Sequence, residues 1–245
     1  MTIHPPLVSL SAIDEKRFGV RTAKASLVFE DIPKVMEFCS SYHVECLIAR
    51  CPTTDLPAAQ EMERQGFLLM DTLVYYSCNL KGKPVPEDAL GLDIRPVREG
   101  EGHAVKDIDA DSFRGYHGNC HADCRLDKKK CDEVYADWAY QLCLSTKVAD
   151  EVLVVDSDNT IIGFAAMHIN SPSEGEIVLN GVAPSSQGKG VYRWLMISAM
   201  KWCISQDIGK IIISTQVTNA AAQKVWTRLG FELSHSYYTF HKWFS

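Results

Sequence analysis

The sequence predicts an α+β protein made of a smaller N-terminal α/β domain, residues 1–86, and a larger domain, residues 87–245. Three observations carry this. Short apolar runs alternate with helical patterns along the whole chain. The stretch 80–92 holds Gly82, Pro84, Pro86 and Gly91 with few large apolar residues, the composition of a linker. Near 176–192 a strand, a glycine-containing loop and a helix follow one another, a unit that builds binding sites. With 245 residues, 46% hydrophobic and 23% charged, the chain can bury a core and is not a disordered tail.

In the N-terminal part, 44–49 is a compact apolar strand. A helix over 56–65 stops at Gly66, the usual residue for a left-handed cap. A strand rich in Leu, Val and Tyr follows over 68–77. The larger part opens with a strand at 92–97. Helices are predicted at 102–113 and 132–146, the latter with Tyr135, Trp138 and Leu142 on one face. Strands at 151–156 and 161–169 are joined by Asp156-Ser157-Asp158-Asn159, which is turn chemistry. Then come a strand at 176–182, a loop at 184–190, a helix to about 205, a strand at 210–217 and a helix at 219–229. One or two strands close the chain over 231–244.

An echo links the two parts. Ala58-Ala59-Gln60 leads to Gly66-Phe67 and Tyr75-Tyr76, as Ala221-Ala222-Gln223 leads to Gly230-Phe231 and Tyr237-Tyr238. Two readings stay open: unrelated helix–Gly-Phe–strand units, or a partial internal copy.

Composition excludes several classes. The net charge of −6 argues against a sequence-independent grip on nucleic acid or anionic lipid. The most apolar run, 161–169, is too short to span a bilayer, which takes about 20 residues. The N-terminal residues carry Pro5, Pro6, Asp14 and Glu15 and read as no signal peptide. Nine scattered cysteines without a C-x-x-C pair read as small buried hydrophobes of a reduced, cytoplasmic protein. His117, Cys120, His121 and Cys124 form H-x-x-C-H-x-x-C, an unusual spacing for zinc, so no metal is assigned.

The strongest signal runs from Glu176 to Tyr192. A glycine loop opening a helix brings bare backbone N–H groups to the positive end of a helix dipole, where phosphate oxygens fit. The segment has neither the Walker spacing nor the three-glycine dinucleotide spacing. Gln187-Gly188-Lys189-Gly190-Val191-Tyr192 resembles the [Q/R]-x-x-G-x-[G/A] signature of the GCN5-related N-acetyltransferase (GNAT) superfamily. Ile94-Arg95-Pro96, the paired strands, Asn219-x-x-Ala222, Leu229-Gly230-Phe231 and Tyr237-Tyr238 follow in that family's order, over residues 92–245.

The resemblance implies a GNAT fold: a mixed, mostly antiparallel sheet with helices on both faces and strands splayed at the CoA cleft. It implies acetyl transfer from acetyl-CoA to an amine by direct attack. Val182, Ala183, Gln187, Gly188, Lys189, Gly190, Val191, Tyr192, Asn219 and Trp226 would contact CoA, with the Val182 amide polarising the thioester carbonyl. Glu176 would be the base, sharing a strand face with Asn180 by period two. Two departures stand out. Tyr192 occupies a position where a small residue is usual and must lean away from the phosphates. Trp226 stands where many members carry an acid tyrosine, and an indole N–H is no acid at neutral pH. Tyr237 or Tyr238 would replace it.

The segment around 112–138 resembles the acceptor loop and helix of the sugar-nucleotide branch typified by dTDP-fucosamine N-acetyltransferase. So does Phe18-Gly19-Val20 in the N-terminal domain. This implies a small-molecule acceptor, a nucleotide-linked amino sugar, held by Arg114, Tyr116, His117, His121, Arg125 and His168; a protein or peptide amine, a polyamine or an antibiotic as acceptor, and an acyl-CoA-binding module without turnover, stay open as alternatives. The arginines would pair bidentately with a diphosphate. A homodimer is the default assembly.

Overall fold

The computed structural model describes residues 6–82, 84–86, 91–115, 118–146 and 148–244. Among the described residues ten strands form one continuous sheet. They are β1 (Val8–Leu10), β2 (Thr22–Ser26), β3 (Cys46–Pro52), β4 (Leu68–Asn79), β5 (Asp93–Pro96), β6 (Glu151–Ser157), β7 (Thr160–Ser171), β8 (Glu174–Val182), β9 (Lys210–Gln216) and β10 (Glu232–Trp243). Their order is β1-β2-β3-β10-β4-β9-β8-β7-β6-β5. Only β2–β3 and β8–β9 run parallel, so the sheet is mixed and mostly antiparallel, as predicted. The helices are α1 (Ala12–Phe18), α2 (Ile32–Ser41), α3 (Leu56–Arg64), α4 (Gly102–Ser112), α5 (Asn119–Ala122), α6 (Lys128–Leu144), α7 (Val191–Ser205) and α8 (Ala220–Arg228). Among the described residues no helix is long and apolar enough to cross a membrane.

Alternation along β6 and β7 divides the core. Leu153, Val155, Ala165 and Met167 pack against α7 with Trp194, Leu195 and Met200. Val152, Val154, Phe164 and Ala166 pack on the other face against Val105 and Ile108 of α4 and Ala139 and Leu142 of α6. Successive strand side chains point to opposite faces, so each β residue chooses one helix layer. Trp138 is a correction to the sequence reading. It is 37% exposed, because α6 buries Cys131, Ala136, Ala139 and Leu142 instead. The helix also begins at Lys128, four residues earlier than the apolar pattern shows, because the Asp127 carboxylate caps it by accepting from the Lys129 amide.

The two halves exchange strands. β10 lies between β3 and β4, while β4 lies between β10 and β9. The echoed segments share local geometry. The carboxylate of Asp55 accepts from the Ala58 amide at the start of α3, as the Asn219 side chain accepts from Ala222 at the start of α8. Gly66 and Gly230 take φ 81° and 82° at the helix ends. The Phe67 amide then donates to Met62 O and the Phe231 amide to Trp226 O, each at 3.0 Å. The closing segment is one 12-residue strand rather than two.

Candidate active site

The parallel pairing of β8 with β9 runs from Glu174↔Lys210 to Ile177↔Ile213 and stops there. Both strands continue, to Val182 and Gln216, so a gap opens between them. One irregularity shapes that gap. Ala166 pairs with Leu179 but Met167 pairs with Ile177, so Val178 is the extra residue of a β-bulge. The bulge shifts the phase of β8. Ile177 packs on the α7 face and Leu179 on the α4/α6 face. This corrects the period-two reading: Glu176 faces α4/α6, whereas Asn180 shares the α7 face with Val182.

Backbone direction follows from the ladder. The Ala183 N–H donates to Ile162 O at 2.9 Å, so residues 162 and 183 form a hydrogen-bonded pair. Alternation in an antiparallel ladder then turns the N–H groups of Val182 and Asn180 away from β7, toward the gap. The Val182 carbonyl accepts from Ser112 Oγ at 2.9 Å and Gln187 Nε2 at 3.1 Å. Gly188 and Gly190 hold φ 74° and 87°, which a side chain adopts only with strain. Among the described residues the amides of Gly188, Lys189 and Gly190 take no part in the loop's backbone hydrogen bonds. They stand just before the first turn of α7. These features fit the phosphates and arm of an acyl-CoA.

The two departures from the signature meet. Trp226 Nε1 donates to the Tyr192 hydroxyl at 2.9 Å. Trp226 is 1% exposed and lies edge-on to Tyr76, and Tyr192 packs against the same core. Asn219 is engaged at the start of α8, with Nδ2 donating to Thr215 Oγ1 at 3.1 Å.

The candidate catalytic side chains divide between the faces. Glu176 is opposite His168 in the β7–β8 ladder and accepts from Asn170 Nδ2 at 3.0 Å. Burial pushes its carboxyl up, against the Asn170 hydrogen bond, with Glu174 adding to the rise. Tyr237 also faces α4/α6. Tyr238 packs into the N-terminal core beside Phe240.

The acceptor candidates are not gathered. Arg114 is exposed and pairs with Asp111 at 2.5 Å. His121 Nε2 is 2.9 Å from Asp132, and His168 Nδ1 is 2.8 Å from Asp150. The Arg125 guanidinium lies over the Trp243 ring. Tyr116 and His117 lie outside the described residues. Of the cysteine–histidine stretch, Cys120 is buried against Cys131 and Cys124 is exposed.

Asp123, which the sequence reading passed over, anchors this stretch. It accepts from His241 Nδ1 at 2.7 Å and Trp243 Nε1 at 2.8 Å, and its other oxygen accepts from the Arg125 amide. Burial pushes its carboxyl up, but those hydrogen bonds outweigh it and hold it at about 2. Cys46 lies with Asp123 and His241 within 4.8 Å, the one such ligand trio among the described residues. The Asp123 oxygen nearest His241 is already filled by two N–H donors, and burial pushes the Cys46 thiol up to about 12. The trio works as a latch tying the 119–126 segment to β10.

Residues 104–231 match the model of the acetyltransferase (GNAT) family, just over half the chain. The chain belongs to that family, whose acyl donor is acetyl-CoA. It is 26% identical over 193 residues to the mycothiol acetyltransferase of Amycolatopsis mediterranei, covering 72% of this chain and 59% of that protein. It is 23% identical over 202 residues to the spore coat polysaccharide biosynthesis protein SpsD of Bacillus subtilis, covering 80% of this chain and 66% of that protein. A GCN5-related N-acetyltransferase from Sphaerobacter thermophilus superposes with a TM-score of 0.65 at 12% identity, over 97% of this chain and 76% of that one. The chain thus spans about three fifths of the mycothiol enzyme's length and two thirds of SpsD's.

Proposed function

We propose that the protein is an acetyl-CoA-dependent N-acetyltransferase whose acceptor is the amino group of a nucleotide-linked deoxy-amino sugar, in surface polysaccharide assembly. The observation that carries the chemistry is the β8–β9 gap, with two β8 amides aimed into it and free loop amides at its end. In this reading the amides of residues 188–191 hold the pyrophosphate. Asn180 and Val182 offer N–H groups to the pantetheine arm and to the thioester oxygen as it gains charge. The amine nitrogen forms a bond to the acetyl carbon, the C–S bond breaks, and the amine proton passes to Glu176 directly or through water. Burial leaves Glu176 a better base than an ordinary carboxylate. The thiolate leaves without a dedicated acid, since a free thiol titrates near 8.5.

The acceptor class rests on the likeness to SpsD and on the sequence resemblance to the sugar-nucleotide branch. The same reading treats residues 1–86 and 87–245 as related units that together complete one transferase. The mycothiol acetyltransferase likeness favours a second reading: the same transfer to the amine of an acceptor other than a nucleotide-linked sugar. Melting in the presence of CoA separates them. A dTDP- or UDP-linked amino sugar that raises Tm supports the first reading. No response to any such sugar moves the acceptor to the second.

A further inference from the structure

A cavity of ≈ 240 Å³ opens on the α4/α6 face of the sheet, lined by Ser26, Arg50, Tyr75, His235 and Tyr237. Three rings form its wall. Tyr75 and His235 stack at 4.5 Å with 13° between planes, and Tyr237 stands nearly perpendicular to both. Arg50 supplies the charge. Unlike Arg114 and Arg125, it has no carboxylate or ring partner among the described residues.

The cavity's position is set by register. Tyr75 pairs with Ser214 across the β4–β9 ladder. Ser214 is the first β9 residue beyond the last β8 partner, Ile213, so it stands at the mouth of the gap. The Tyr75 phenol lies within electrostatic reach of both Arg50 and Glu176. A ligand on Tyr75 is therefore one strand from the acyl arm. A larger cavity of ≈ 590 Å³, lined by Ser77, Lys81, Glu174 and Lys210 among others, lies at the other end of β8, away from the loop amides.

We propose that Ser26, Arg50, Tyr75, His235 and Tyr237 form the acceptor subsite, which takes a sugar ring against the three aromatic rings and a phosphate ester of that sugar on Arg50. Aromatic faces suit the apolar C–H face of a pyranose, and a guanidinium matches phosphate geometry with two parallel N–H donors. The small volume suits one ring rather than a whole nucleotide, so a nucleoside portion extends outside. This deepens the amino-sugar reading and rests on it.

Calorimetry on the CoA-loaded protein tests the subsite without requiring turnover. The probes are glucosamine 1-phosphate and glucosamine. The wild type binds the phosphate ester at least tenfold more tightly. Arg50→Gln removes that preference while CoA binding stays unchanged. Arg50→Lys, which keeps the charge, retains part of it and guards against a folding defect in the first variant. Tyr237→Leu weakens both probes together. Equal binding of the two probes by the wild type, or an undiminished preference in Arg50→Gln, overturns the subsite. Binding as predicted with no acetyl transfer to either probe or to any nucleotide sugar overturns the transferase reading instead, and leaves the subsite standing.

Discussion

Trp226 and Tyr192 have to be understood together. Each departs from the family pattern, and each explains the other: a buried indole N–H needs an acceptor, and the Tyr192 hydroxyl supplies it at 2.9 Å. Tyr192→Phe leaves that donor unsatisfied and should cost about 1–3 kcal/mol in urea unfolding. Asp109 on α4 is the opposite case. It is fully buried, and neither carboxyl oxygen has a hydrogen-bond partner among the described residues. Burial pushes its pKa up to about 8. The folded chain keeps this proton up to about pH 8, whereas the unfolded chain loses it near the ordinary 3.8. The folded state therefore binds more protons between those limits, and stability falls as pH rises from about 4 to about 8. Asp109→Asn should raise Tm at pH 8 by several degrees, with the gain shrinking to nothing below pH 4. An unchanged pH dependence in the variant would show that Asp109 is not the source.

At the scale of elements, the glycine loop and the bulge do different work. The loop sets where phosphates sit. A β-branched residue at Gly190 would have to adopt φ 87°, a strain of about 1–3 kcal/mol. Gly190→Val should weaken CoA binding at least tenfold by calorimetry, with the melting temperature only slightly lowered. The loop was legible in the sequence because glycines mark positive φ and the following apolar period marks α7. The bulge was not. Nothing in Glu176-Ile-Val-Leu-Asn180 distinguishes a regular strand from one with Val178 inserted, since both are runs of strand-forming residues. Strict alternation therefore put Glu176 and Asn180 on one face when they lie on two. The acceptor residues misled for a related reason. Arg114, His121 and Arg125 look available in sequence, but Asp111, Asp132 and Trp243 engage them. Arg50, Tyr75 and His235 lie far apart along the chain, and only the register of β3, β10, β4 and β9 brings them together.

At the scale of the molecule, the exchange of β4 and β10 makes each half dependent on the other. Residues 87–245 alone lack the strand that joins β9 to β10, and both would present open edges. That fragment should aggregate on size-exclusion chromatography, and adding residues 1–86 should recover a soluble 1:1 complex. The sequence made the alternating elements and the repeated helix–Gly-Phe–strand unit visible, but strand order depends on pairings between distant segments that local pattern does not encode. The exchange also brings Tyr237 and His235, from the last strand, onto the wall that Arg50 and Tyr75 supply. Acetyl transfer at the β8–β9 gap can be read as thiol release from acetyl-CoA with dTDP- and UDP-linked amino sugars as acceptors. The wild type should release free thiol only with an amine present, and Gly190→Val should lose that release at the same acetyl-CoA concentration. CoA that binds and stabilises the fold while no amine yields thiol would contradict the transfer.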